Sequence, residues 1–369
     1  MQDLSKTILA FRGYNVTNLG RTPELLADPR YGPILEVYLN EASQVYSRVV
    51  GRSIRLIDRV RRRRETTLRT YGQAVALIVA VEMAQLAMLK ECHGIDWTGA
   101  AASMGYSLGE ITALAAGGVV DWRRALEVPV SLAEPCAALA RDVTLAVVFT
   151  RQATLAPDTL RRLCLEVNAA GRGVMGVSAF LGPNSVLVMG QADTLDRFQQ
   201  LAKERFEERL IVRKNQHRWP PLHTPIVWQR CVADQAGTLM HGLPIEFRVP
   251  APPVLSFVTG DFGYNELNAR HMLRRWVDHP QRLWDAVKTI LGDSVKHVLH
   301  IGPQPNILPA TLKRLSDNVT LQLEASVGKR ALAAVARRPW LAALLPEETA
   351  LLRAPQITQT TLEDWLLEH

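Results

Sequence analysis

The sequence predicts an α/β protein: an α/β-hydrolase-like large domain built on a parallel sheet, interrupted by a smaller ferredoxin-like unit. Three observations carry this. Met104-Gly105-Tyr106-Ser107-Leu108-Gly109-Glu110 reads G-x-S-x-G, between a small apolar segment (Gly99 to Met104) and a helix-compatible run (Ile111 to Ala116). That is the pattern of a nucleophile elbow, where a strand turns sharply into a helix and exposes a serine. Between Val143 and Val212 the hydrophobic pattern follows the order βαββαβ, the ferredoxin-like signature. The length, 369 residues, suits one large domain plus a smaller one.

Taken in order, Ile8-Leu9-Ala10-Phe11 is a short apolar strand and Arg12-Gly13-Tyr14-Asn15 is turn-like. Ile34 to Val50 has helical periodicity. Arg52 to Arg69 is strongly basic, with Arg61-Arg62-Arg63-Arg64 at its centre. It reads either as a solvated helix end or loop, or as a landing site for an acidic partner. Ala74 to Met88 is a buried helix interrupted by Glu82 and Gln85, and no apolar run is expected to reach a membrane span. After the elbow helix and Val119-Val120-Asp121-Trp122, a helical stretch runs from Arg123 to about Ala140, kinked or broken at Pro129 and Pro135.

The inserted unit then reads as strand Val143 to Phe149, helix Asp158 to Val167, and strands Gly173 to Phe180 and Ser185 to Met189 around Gly182-Pro183-Asn184. Helix Ala192 to Arg205 and strand Arg209 to Val212 close it. Downstream, Val254 to Gly260 contains a strand, and Val295 to Ile301 is a closing strand ending at Gly302-Pro303. The expected domains are therefore 1–141 with 215–330 (large, discontinuous), 142–214 (small), and a tail, 331–369. Arg338-Pro339-Trp340 and Ala354-Pro355 break the tail, and Thr361 to Leu367 is an amphipathic end that either packs back on its own domain or docks on a partner.

With 47% apolar residues the chain can bury a sizeable core. Four cysteines without C-x-x-C spacing argue against a zinc site or a disulfide framework, so no metal is expected. The first residues lack a basic n-region and an apolar h-region, so a cytoplasmic location without a signal peptide is expected.

The string Gly105-Tyr106-Ser107-Leu108-Gly109-Glu110, followed after Ile111 by T-A-L-A-A-G-G-V-V, resembles the nucleophile segment of the malonyl-CoA:acyl-carrier-protein transacylase family. The resemblance runs from about Ile8 to Asp317 and implies the same inserted unit. It implies Ser107 as nucleophile and His223 as general base, because Leu222-His223-Thr224-Pro225 fits the family's F-H-S-P frame. By itself, a histidine in such a proline-rich loop is more often structural or exposed. The family loop F-P-G-Q-G-S-Q-x-x-G corresponds to Phe11 to Gly20, with the outer glycines kept and both glutamines replaced. The resemblance places the oxyanion-hole amides at Leu108 and Thr17, and Gln73 beside the serine. It also implies that a backbone carbonyl near Pro280 to Arg282, within Trp276 to Trp284, orients the histidine in place of a triad carboxylate.

Three positions depart from the family pattern in the substrate-binding set. Leu132 stands where malonyl-specific relatives carry an arginine for the free carboxylate; neither Ser131 nor Ala133 could substitute, and Arg141 is the nearest C-terminal guanidinium. Pro220-Pro221-Leu222 precedes the histidine in place of H-A-F or Y-A-S, and Phe257 replaces the asparagine of an S-N-V-T strand. The resemblance thus implies an acyl-CoA:acyl-carrier-protein acyltransferase of fatty-acid or polyketide biosynthesis, acting through an acyl-serine and preferring a neutral acyl group. Acyl-CoA and the phosphopantetheinyl carrier are then substrates, with no bound cofactor. The net charge of +7 suits an acidic carrier or the phosphates of coenzyme A. Nucleic acid is not expected, since no binding motif accompanies the basic residues, and no membrane partner is expected either. Two alternatives remain: an editing hydrolase that clears carrier thioesters, and a non-catalytic scaffold, suggested by the altered glutamine loop and Phe257.

Overall fold

The computed structural model describes residues 3–150, 155–206, 209–245, 248–265, 267–292, 294–308, 311–313, 315–317 and 351–369. The chain opens with β1 (Thr7–Phe11), α1 (Thr22–Ala27), α2 (Gly32–Val50), α3 (Leu56–Arg61) and α4 (Tyr71–His93), then β2 (Ala102–Gly105), α5 (Leu108–Ala116), α6 (Trp122–Ser131) and α7 (Ala133–Leu139). The inserted unit is β3 (Val143–Phe149), α8 (Pro157–Ala169), β4 (Met175–Gly182), β5 (Ser185–Gln191), α9 (Thr194–Arg205) and β6 (Ile211–Lys214). The chain returns through α10 (Val232–Gly242), β7 (Val254–Leu255), α11 (Ala269–Trp276), α12 (Leu283–Ile290) and β8 (His297–Ile301). Beyond residue 350 come β9 (Thr358–Thr361) and α13 (Leu362–Glu368).

Two sheets result. The large one is parallel, in the order β7-β2-β1-β8-β9; the small one is antiparallel, in the order β4-β5-β3-β6. The βαββαβ order is as the hydrophobic pattern implies, with the last strand starting two residues later than expected. Register decides where a site can form. Phe11 pairs with Gly105 across β1 and β2, and with Ile301 across β1 and β8. The loops after these strands therefore leave side by side at the carboxyl edge, where open parallel sheets bind ligands.

Helix α4 is apolar on almost every side because it is enclosed. Contrary to the sequence expectation, the stretch Leu68–His93 is long and apolar enough to cross a membrane, but nearly all of it is buried inside this fold. Its two polar interruptions have work to do at the sheet edge. Glu82 accepts the Arg12 amide (2.8 Å) and Gln85 accepts the Gly302 amide (2.7 Å), tying α4 to the ends of β1 and β8. Burial pushes the Glu82 carboxyl up to about 8. The helical stretch with two prolines splits into α6 and α7 at Leu132, which serves as the cap between them. Of the expected tail, residues 331–350 with Arg338-Pro339-Trp340 lie outside the described residues. The remainder pairs β9 with β8 and lays α13 against the large domain.

Candidate active site

Ser107 sits between β2 and α5 with φ 55° and ψ −115°, a conformation a side-chain-bearing residue adopts only under constraint. The turn is tight enough that a Cβ on Gly109 would stand 2.5 Å from the Phe11 carbonyl oxygen, which explains the second elbow glycine. Three groups hold the serine. Its amide donates to Gln281 Oε1 (2.9 Å), its carbonyl accepts from Trp276 Nε1 (2.7 Å), and its Oγ lies 2.7 Å from His223 Nε2.

His223 is buried and also has a positive φ, 67°. Its amide donates to the Val277 carbonyl (2.7 Å), and its Nδ1 lies 2.7 Å from the Trp276 carbonyl. That carbonyl can only accept, so Nδ1 carries the proton and Nε2 is left to accept from Ser107 Oγ. Desolvation lowers the imidazole to about 4, against the opposing pull of the Trp276 carbonyl and Asp278, so the ring is neutral at pH 7.

The orienting carbonyl thus comes from Trp276 and not from Pro280 to Arg282. The physical reason is that Trp276 is the last residue of α11, and last-turn carbonyls have no partner along the helix. Gln281, from the segment where the carbonyl was expected, acts through its side chain. Besides accepting from Ser107, it brings Nε2 to 3.3 Å from His223 Nδ1, and its backbone joins the small sheet by Phe180 N–H to Gln281 O and Gln281 N–H to Ser178 O (both 2.8 Å).

The predicted residues are not all brought together. Leu108 provides the first amide of α5, beside Ser107. Thr17 is exposed and does not line the cavity at Ser107. The loop instead curls round the buried Arg12 guanidinium, which donates to the carbonyls of Gly13 (2.8 Å), Thr17 (3.3 Å) and Pro303 and to Asn18 Oδ1 (2.7 Å). Gly13 of the same loop lies close to the serine: a Cβ built there would lie 3.4 Å from Ser107 Cβ. Gln73 turns away and accepts from Arg59 (2.6 Å). Leu132 is buried in the apolar core and is absent from the cavity wall. Phe257 is also off the wall; it packs edge to face on Tyr106 at 6.2 Å, while its amide donates to Glu110 (3.1 Å). Leu222 does line the cavity.

Glu110, the last residue of the elbow string, has a structural part. Its carboxyl, pushed up to about 7 by burial, accepts from Ser256 Oγ (2.6 Å) and Tyr264 (2.7 Å) and fastens α5 to the loop after β7.

The cavity measures about 500 Å³ and opens on Ser107 and His223. Tyr14, Tyr71 and Trp219 form an aromatic wall, with Tyr14 edge-on to Tyr71 (4.8 Å) and to Trp219 (5.8 Å). Leu145, Val147, Leu187 and Met189 of the small sheet face them. Among the described residues no Asp, Glu, Lys or Arg lines it.

This architecture matches known ones. The chain is similar to a malonyl-CoA:acyl carrier protein transacylase (FabD) from Xanthomonas oryzae pv. oryzae, with TM-score 0.65 and 21% identity over 85% of this chain and 92% of that one. The fold is that of the malonyl-CoA:acyl-carrier-protein transacylases. The acyltransferase domain from the second module of the salinomycin polyketide synthase shares the transacylase fold over 98% of this chain and 72% of that one, with TM-score 0.66 and 16% identity. In sequence, 202 residues are 26% identical to polyketide synthase GfsA of Streptomyces halstedii, covering 54% of this chain but 2% of that synthase. No family model matches.

Proposed function

We propose that the protein is an acyltransferase that takes a neutral acyl group from coenzyme A onto Ser107 and passes it to the phosphopantetheine thiol of an acyl carrier protein. The observation that carries the cargo assignment is the cavity wall: among the described residues nothing there could neutralise a malonyl carboxylate. Burying one unpaired would cost several kcal/mol. The wall is aromatic and aliphatic with only uncharged polar side chains besides His223 (Asn15, Ser107, Ser178, Asn215, Asn306 and Thr311 among them), which suits an uncharged acyl group instead.

The geometry supports the following steps. Ser107 Oγ attacks the thioester carbonyl as its proton passes to His223 Nε2, and the Trp276 carbonyl holds the imidazolium that forms. The Leu108 amide and the positive end of α5 meet the oxyanion. Collapse breaks the C–S bond, and the departing coenzyme A thiolate takes the proton from His223. The carrier thiol then attacks the acyl-serine carbonyl as its proton passes to His223; collapse breaks the ester C–O bond, and Ser107 Oγ takes the proton back from His223. For the carrier, the exposed Arg62-Arg63-Arg64 loop is a fitting landing surface. Glu65 at its end accepts the Asn18 amide (2.9 Å) and the Leu19 amide (3.3 Å) of the loop that rims the cavity.

The test is intact-mass spectrometry of the protein and a holo carrier together after incubation with acetyl- and longer acyl-CoA. Transfer predicts an acyl mass on the carrier only when Ser107 is present. An acyl-serine lost to water with the carrier unmodified would select hydrolysis, and no acylation by any thioester would leave a scaffold.

A further inference from the structure

The strand–helix unit β9–α13 is remote in sequence from the elbow, yet it reaches both loops that line the cavity. Glu363, in the first turn of α13, is wholly buried. One of its oxygens accepts the Gln304 amide and the other the Arg21 amide, each at 2.9 Å. Gln304 belongs to the loop whose Pro305, Asn306 and Ile307 line the cavity; Arg21 closes the loop whose Gly13, Tyr14 and Asn15 do. Gly20 has φ +48°, and a Cβ there would stand 2.7 and 2.8 Å from the two Glu363 oxygens, so only glycine lets this loop close on the carboxylate. Neighbouring residues reinforce the contact: Asp364 pairs with Arg21 (2.9 Å), and Gln304 Nε2 donates to Thr361 Oγ1 (2.6 Å).

A carboxylate buried against two amides loses much hydration, and apolar side chains would fasten a helix at less cost. What a carboxylate adds is two acceptors at a fixed separation, each committed here to a different loop. We propose that Glu363 is a positioning residue: it sets the spacing of the two cavity loops, which makes the β9–α13 unit a brace of the acyl site. Only the kinetic arm of its test rests on the function proposed above.

Amide hydrogen exchange and acyl-transfer kinetics on full-length variants decide it. In Glu363→Ala both loops, 12–21 and 302–307, are expected to exchange about tenfold faster, and KM for the acyl donor to rise by about tenfold with kcat within about threefold. Glu363→Gln, with one carbonyl acceptor, is expected to loosen only one loop and to recover part of the KM; it carries the test if the alanine variant does not fold. Tyr31→Phe removes the bond from Tyr31 to the Leu366 carbonyl (3.0 Å) at the other end of α13, and is expected to leave both loops and KM unchanged. Unchanged loop exchange in the Glu363 variants, or equal loosening by Tyr31→Phe, overturns the proposal. If no acyl-CoA modifies Ser107, the proposed function fails while exchange still decides the brace.

Discussion

Replacing Gln281 by leucine probes how the nucleophile is held. The leucine keeps the volume near that of glutamine but removes the acceptor of the Ser107 amide and the amide group near His223 Nδ1. Gln281 is wholly buried, so solvent cannot readily replace it. An orphaned buried N–H costs about 1–3 kcal/mol. Ser107 is in a strained backbone conformation, so relaxation of the elbow is the way that cost is relieved, and it moves Oγ off His223. If the whole penalty appears in the transition state, the rate falls by about 5- to 160-fold. The assay is the second-order rate of fluorophosphonate labelling of Ser107 at neutral pH, with circular dichroism confirming the fold. Gln281→Glu restores the acceptor and places a carboxylate beside the imidazole, so labelling should recover while its acid limb moves to higher pH. A folded Gln281→Leu protein labelled within about twofold of the parent rate would refute the reasoning.

Other consequences can be measured directly. Because His223 is held near 4, the labelling rate should stay nearly flat from pH 7.5 to 5.5 and fall only as pH approaches 4; a limb near the ordinary imidazole value of about 6.5 contradicts the burial argument. In stability, neutral His223 contributes fully above pH 6.5, and the contribution is lost as pH falls to about 4, because the unfolded chain alone binds that proton. Thermal melts are a poorer probe, since Glu82, Glu110 and Glu363, raised to about 8, 7 and 7, favour folding as pH falls through those values. Leu132→Arg is expected to cost several kcal/mol and to gain no malonyl transfer, since the position faces the core; a folded variant that accepts malonyl would show that the helix end can open onto the cavity. Trp219→Ala removes one side of the aromatic wall and should shift kcat/KM towards longer acyl-CoA donors by about tenfold, read from a chain-length series.

The parts of the fold legible in the sequence are those set by local periodicity and by backbone demands. The βαββαβ unit shows in its alternation, and the elbow shows because glycine is required where β2, β1 and α5 nearly touch. Ser107 and His223 meet as the resemblance implies. Contacts made at long range by single side chains left no such pattern. The resemblance marked the segment Trp276 to Trp284 but not the parts that Trp276 and Gln281 take in it, and the loop that carries Thr17 is organised from within by the Arg12 guanidinium. Glu82 and Gln85 were visible as interruptions of an apolar helix, but their partners at the ends of β1 and β8 appear only when the strands are in register. Leu132, expected in the substrate-binding set, does not reach the cavity. It is part of the core, and the absence of Lys and Arg among the described residues of the cavity wall is visible only in the folded chain.

The most direct measurement sets malonyl-CoA against acetyl-CoA and longer acyl-CoA in competition for the parent protein, with Ser107→Ala as control, and reads the intact mass and the modified peptide. The neutral-cargo reading predicts acetyl or longer acyl adducts on Ser107, absent in the control, with malonyl adducts at least tenfold scarcer. Stable malonylation of Ser107 in preference to the neutral esters would contradict it.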